Sequence, residues 1–386
     1  MDDFTMSENA DAIREICDSI IRRIDRAYVA DCGKRNEFPE KLWKMWAESG
    51  LLSMGLPEEY GGSGGSLSDI VLALDILHQH GLLLPIAVTN FMSREPLLHY
   101  ASEEQRRRYL PTTATGESFF SFGITEPDAG TNTFKIKTTA IRQPDGTFLL
   151  NGGKTYQTAF VESDNCLLVA RTQPYDPANR TKGISLFILD TKLPGISATQ
   201  MEIGMYLPEK NYTTYFDNVV MPADSLVGVE GQGLKVLFSS LNSERLLVAA
   251  MNVGQADYCI NRAAEYAKTR APFDTPIGAY QSIQHPLARA KTYVEAARTM
   301  LYKACAASDR GENIGVEANM VKILSSEAFK MAAEIAMTTF GGAGVDVTQD
   351  ILPFYIAAQN NLVAPVNNQV VLSFIAEKVL GLPKSY

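Results

Sequence analysis

"FFSFGITEPDAGTN", residues 119–132, runs from large apolar side chains straight into threonine, proline, aspartate and glycine. A short apolar run closed by turn formers reads as a strand entering a loop. The chain on either side of this point keeps different periods. Upstream, Ile13, Ile16, Cys17, Ile20, Ile21 and Ile24 fall on one helical face, "PEKLWKMWAES" (39–49) reads as a helix stopped by Gly50, and "LSDIVLALDILHQHG" (67–81) is apolar nearly all round, as in a buried helix. Ser102 with Gln105 offers a capping box. Downstream, "TFLLNGGK" (147–154), "CLLVART" (166–172), "GISLFILD" (183–190) and "YTTYFDNVV" (212–220) are short strand-like runs.

After "MPADSLVG" (221–228) the helical period returns, over roughly 230–265, 280–308, 315–340 and 366–380. Helices, then strands, then helices predict an α+β multidomain chain: an N-terminal helical domain (1–117), a central β-domain (118–226) and a C-terminal helical bundle (227–386). A binding crevice is expected where the β-domain meets the helices.

Composition excludes several classes of function. With 386 residues, 46% of them hydrophobic and 20% charged, the chain can bury a large core. A net charge of -9 argues against nucleic acid as a partner. The five cysteines form no C-x-x-C pair and the four histidines no ligand spacing beyond His78 and His80, so no metal and a reduced compartment are expected. The start has neither a signal core nor transit-peptide character, and no run is long enough to span a membrane, which makes the cytoplasm the expected location.

Several loops carry candidate chemistry. In 123–132, Thr125 and Thr131 present hydroxyls and backbone N–H groups to a polar ring edge or a phosphate, or else form an ordinary surface turn. In "NGGKTYQTAF" (151–160), alternation puts Tyr156 and Thr158 on one face, where they can meet a flat heterocycle or pack across strands. Arg270 and Gln281 flank two prolines in "RAPFDTPIGAYQ" (270–281), a place for a pyrophosphate clamp or a solvated arginine. Gly341 and Gly342 allow close approach of a ligand to the backbone, or simply cap a helix. No dinucleotide fingerprint or Walker sequence is present. On these grounds alone no reaction follows.

Taken in order, these segments resemble the acyl-CoA dehydrogenase family across essentially the whole chain. "LPEEYGG" (56–62) and "EEQRRRYLPTTATGE" (103–117) are similar to its N-terminal signatures, and "TEPDAGTN" (125–132) to its T-E-P-x-A-G-S-D loop. "NGGKTYQT" (151–158) resembles N-G-x-K-x-W-I-T, "YFDNVVMP" (215–222) F-D-x-V-x-V-P, "RAPFDTPIGAYQ" R-x-x-F-G-x-x-I-x-x-x-Q, and "FGGAG" (340–344) the G-G-x-G turn. The resemblance implies FAD bound non-covalently and an acyl-CoA substrate, with Phe122, Ile124, Thr125, Tyr156 and Thr158 around the flavin ring. It implies that Arg270, Phe273, Gln281, Gly341 and Gly342 reach the FAD of a neighbouring subunit, and that Asn367 and Gln369 lie near the adenine. Thr131, Asn242 and Arg245 match contacts to flavin phosphate or CoA. It also implies a tetramer, homomeric or shared with a paralogue, a role in lipid metabolism and an electron-transferring flavoprotein as partner.

One departure bears on mechanism. Most members place the catalytic glutamate after the G-G-x-G turn, where "APVN" (364–367) here puts Pro365. A minority, the isovaleryl-CoA dehydrogenase type and crotonobetainyl-CoA reductase-like members, carry the base in an E-R-L sequence on the helix that opens the C-terminal domain. "LNSERLL" (241–247) supplies Glu244 at that place, with Arg245 beside it. Pro365 also lacks the backbone N–H that helps hold the thioester oxygen. Ile356 and Ala357 replace an Arg–Asp pair. Two other readings stand beside dehydrogenation: a silent subunit paired with an active paralogue, and enoyl-CoA reduction.

Overall fold

A computed structural model describes residues 8–205 and 207–384, with only the backbone at Ser239. Among the described residues six α-helices precede the sheet: α1 (Ala10–Arg23), α2 (Arg26–Arg35), α3 (Glu40–Glu48), α4 (Leu67–Gln79), α5 (Pro85–Tyr100) and α6 (Glu103–Thr115). The predicted face of α1 buries Ile13, Cys17 and Ile20, and Ile24 just beyond it. Gly50 ends the α3 region at φ +80°, a conformation that favours glycine. The Ser102–Gln105 capping box forms, and the Gln105 amide also donates to Asp224 O and Leu226 O, at 2.6 and 3.0 Å, so the cap fastens α6 to the sheet's last strand.

The strands are β1 (Phe120–Gly123), β2 (Thr139–Arg142), β3 (Phe148–Thr158), β4 (Asn165–Arg171), β5 (Ile184–Asp190), β6 (Ile196–Met201), β7 (Asn211–Met221) and β8 (Leu226–Val227). They form one sheet in the order β6-β7-β3-β2-β4-β5-β8, with β1 parallel to β4 at its side. Alternation along β4 and β5 serves two cores. Leu167, Val169, Leu186 and Ile188 pack with Leu97, Leu110 and Leu237 from the helices. Cys166, Leu168, Ala170, Phe187 and Leu189 pack instead with Phe148, Leu150, Phe216 and Val219 inside the β-domain. Burial on both faces explains why these two strands read as unbroken apolar runs.

Five helices follow: α7 (Gly233–Thr269), α8 (Gln281–Asp309), α9 (Gly315–Phe340), α10 (Leu352–Asn360) and α11 (Asn368–Lys378). α7 is the spine of the molecule, about 55 Å long at 1.5 Å per residue. Its small residues Ala249, Ala250, Val253 and Ala256 are fully buried. At Gly254 a Cβ would meet Asp75 O and the His78 Cβ at 2.7 Å, so α4 lies directly on α7. Charge joins the same helices: Arg298 of α8 pairs with the buried Asp75 of α4 at 2.8 Å and Asp257 of α7 at 2.6 Å. All five cysteines are buried free thiols. Among the described residues no helix is long and apolar enough to cross a membrane, and no cluster of His, Cys, Asp and Glu could hold a metal.

Candidate functional site

The loop after β1 is fixed from behind by a buried ion pair. Lys154 of β3, fully buried, donates its ammonium to the Glu126 carboxylate at 2.9 Å and to the Ile124 carbonyl at 3.0 Å. Glu126 also accepts the N–H groups of Lys137 and Thr138, at 2.6 and 3.0 Å. Burial alone would raise the Glu126 carboxyl, but the Lys154 charge and these hydrogen bonds hold it below the usual range. The Thr155 N–H donates to Thr125 O at 2.9 Å, while the Thr125 N–H has no backbone acceptor among the described residues. Phe122, Ile124 and Thr125 are half-buried and Thr131 is exposed. A free N–H beside half-buried apolar side chains, on a loop that cannot retreat, fits the polar edge of a flat heterocycle.

Regular alternation is interrupted just before Tyr156. Lys154 lies opposite Thr214 and Gln157 opposite Tyr212, so Thr155 and Tyr156 share one partner position in a bulge. Tyr156 takes φ +57° and is 62% exposed. The bulge displaces the alternation at Thr155, and from Tyr156 on it resumes: Tyr156 and Thr158 lie on the opposite side from the buried Gln157. Gln157 is buried, and Thr158 is half-buried with its hydroxyl donating to Asn211 Oδ1 at 3.2 Å. Ala159, the next residue, is sealed into the helical core that also takes Leu246 and Leu247 of α7.

The first turns of α7 border the same region, because Leu241 flanks the apolar cluster that Phe122 and Ile124 also flank. The Arg245 Nη1 donates to Asn242 Oδ1 at 3.1 Å and to Leu241 O at 2.8 Å, while its buried Nε has no acceptor. Ser243 donates to Glu95 of α5 at 2.8 Å, a contact nothing in the sequence signals. Glu244 is half-buried, and among the described residues no hydrogen bond or ion pair reaches its carboxylate. Burial raises its pKa to about 7, with Arg245 acting the other way.

Arg270 follows the last residue of α7 in an extended conformation, 26 positions beyond Glu244, which is about 39 Å at the rise of a helix. Arg270, Phe273 and Gln281 are exposed around the turn into α8, Phe273 at 82%, and the Ile277 N–H closes that turn on Arg270 O at 2.8 Å. Gly341 and Gly342 are exposed at the end of α9, with Gly341 at φ +58°. One chain therefore does not gather these residues beside Glu244. In the 361–369 segment, Asn367 caps α11 by accepting the Gln369 N–H at 2.8 Å. The Gln369 side chain and Pro365 are exposed.

Residues 7–117, 121–219 and 231–380 match the N-terminal, middle and C-terminal domains of acyl-CoA dehydrogenase. The chain belongs to the acyl-CoA dehydrogenase family. It is 34% identical to an acyl-CoA dehydrogenase of Mycobacterium tuberculosis, over 99% of both chains. It is 30% identical to the glutaryl-CoA dehydrogenase of Desulfococcus multivorans, again over 99% of each. Its structure is similar to that of butyryl-CoA dehydrogenase from Megasphaera elsdenii, with a TM-score of 0.91 and 26% identity over 98% of this chain and all of that one. The three-domain architecture of the family is the architecture observed, and the chain is an oxidoreductase with FAD as its cofactor.

Proposed function

We propose that this acyl-CoA dehydrogenase oxidises the Cα–Cβ bond of an acyl-CoA thioester with Glu244 as the base. The observation that supports this most is a carboxylate half-buried on α7, with no hydrogen bond or ion pair among the described residues and pushed by burial to about 7, in a chain with proline at the family's usual base position. A base poised near neutrality accepts a carbon-bound proton more readily than an ordinary glutamate, and remains ionised enough to do so. FAD, when bound, supplies the acceptor for the β-hydride. Glu244 takes the α-proton onto a carboxylate oxygen, and Asn242 with Arg245 holds the polar part of the CoA thioester beside it.

The thioester oxygen needs a donor, which Pro365 cannot supply. Val366 follows it, half-buried, and its N–H has no backbone acceptor among the described residues, so it is the replacement donor. Phe122, Ile124, Thr125, Tyr156 and Thr158 border the flavin ring, and Thr131 the phosphates. Arg270, Phe273, Gln281, Gly341 and Gly342 serve the FAD of a neighbouring subunit, with Asn367 and Gln369 near its adenine. Family resemblance implies assembly, most often as a tetramer, and the roughly 39 Å of helix between Glu244 and Arg270 is consistent with Arg270 serving another subunit's site. An electron-transferring flavoprotein takes up the electrons, and the reaction belongs to cytoplasmic lipid metabolism.

The test is anaerobic mixing with a panel of acyl-CoAs while flavin absorbance is followed. Wild-type protein should bleach with at least one. Glu244→Gln should keep its colour and lose bleaching on the order of 10³-fold. Near-wild-type bleaching in Glu244→Gln would end the assignment, and a coloured wild type inert to the whole panel would favour a silent subunit.

A further inference from the structure

We infer that Lys154 is a positioning residue for the flavin: it sets the direction and strength of the Thr125 N–H. The inference rests on the reading above that Thr125 borders the flavin ring. Its geometry comes from one peptide unit. The Lys154 ammonium lies 3.0 Å from the Ile124 carbonyl oxygen, and that carbonyl shares its peptide plane with the Thr125 N–H. In a trans peptide the two point in opposite directions. A cation behind the carbonyl therefore leaves the N–H aimed away from the protein interior, and that N–H has no backbone acceptor among the described residues. The peptide's other neighbour is also fixed, since Thr155 donates to Thr125 O at 2.9 Å.

The ammonium does more than orient. Drawing electron density toward the Ile124 oxygen makes the attached N–H a stronger donor, the cooperative effect found in hydrogen-bond chains. A stronger donor favours the flavin when its ring edge is electron-rich. Glu126 keeps this arrangement in place: without its carboxylate at 2.9 Å, an ammonium with no exposure would be pulled toward neutrality by burial. Strand alternation places Lys154 on the same inward face as the buried Phe148 and Leu150, and the bulge that follows it at Thr155 and Tyr156 leaves it there.

The experiment titrates FAD into apo-protein by fluorescence quenching, records the flavin spectrum and midpoint potential of the holo-protein, and follows apo-protein melting. Lys154→Gln leaves Glu126 buried and unpaired, so it is measured beside the neutral double variant Lys154→Met/Glu126→Gln and the charge-keeping Lys154→Arg. The expected result is a loss of FAD affinity of at least about tenfold, displaced visible bands and a more negative potential in the first two, with partial recovery in Lys154→Arg. Wild-type FAD uptake with unchanged affinity, bands and potential in the double variant, whatever its melting temperature, would overturn the inference alone. Wild-type protein that takes up no FAD would overturn the flavin site and the inference with it.

Discussion

The rings of Tyr266 and Phe340 stack with centroids 4.3 Å apart and 19° between planes, locking the last turn of α7 to the last turn of α9. Arg270 comes one turn after the tyrosine and Gly341 directly after the phenylalanine, so the two exposed elements proposed to meet a neighbour's FAD are presented on one rigid end of the bundle. Arg270→Ala should leave circular dichroism unchanged and weaken FAD binding about tenfold or more, since a pyrophosphate charge loses its partner. Light scattering should show a flavin-loaded oligomer. A flavin-loaded monomer would contradict the shared site.

The Glu244 carboxyl gives a pH signature. It must be ionised to accept a proton, and burial raises its pKa to about 7. The kcat/KM for a good substrate should therefore climb as pH rises through about 7 and level off above it. Glu244→Gln should show a low rate without that limb. A limb unchanged in the variant would mean that another group titrates.

Much of this was legible in the sequence because period and burial agree. The one-sided stripe of α1, the apolar runs of β4 and β5 and the Ser102–Gln105 cap each reflect a local rule that tertiary packing reinforces. α5 was not legible: "PIAVTNFMSREPLLHY" has Pro96 inside and buries polar Asn90, Ser93 and Arg94 together with its apolar residues, which erases the stripe. The bulge at Thr155 and Tyr156, with its positive φ, was hidden for another reason, since it depends on what the partner strand does between Tyr212 and Thr214. Nor could the sequence show that Arg270 stands far from Glu244, because a long unbroken helix separates them.

Glu209 should make stability fall with rising pH. Its Oε1 accepts the Ile86 N–H at 3.0 Å, its buried Oε2 has no partner, and burial raises the carboxyl to about 8. A folded-state value above the unfolded one means full stability below the unfolded carboxyl range near 4.3, lost as pH rises toward about 8. Each pH unit in that window costs up to about 1.4 kcal/mol. Glu209→Gln, a mimic of the neutral acid, should flatten denaturant midpoints between pH 5 and pH 8 on the order of that amount. An equal slope in both proteins would remove Glu209 as the cause.

Arg298 balances two carboxylates that are almost wholly enclosed, Asp75 and Asp257. Arg298→Leu should cost roughly 3–5 kcal/mol in urea denaturation, because it leaves Asp75 without a cation where α4, α7 and α8 meet and leaves Asp257 with Lys291 alone, 2.7 Å away. The triple change that also makes Asp75 and Asp257 into Asn should recover part of the loss. A single variant within about 1 kcal/mol of wild type would show that the cluster is far better solvated than its burial implies.

The enclosed thiols make the chain almost blank to sulfhydryl chemistry. Burial pushes Cys17 and Cys166 up to about 12 and Cys259 and Cys305 higher still, and every sulfur lies in the interior. Thiolate is the reactive form, so the folded protein should ignore maleimides and mild oxidants alike. Val229→Cys, at a position 60% exposed and outside the proposed FAD contacts, would then be the sole address for a dye or spin label on an otherwise unmodified background.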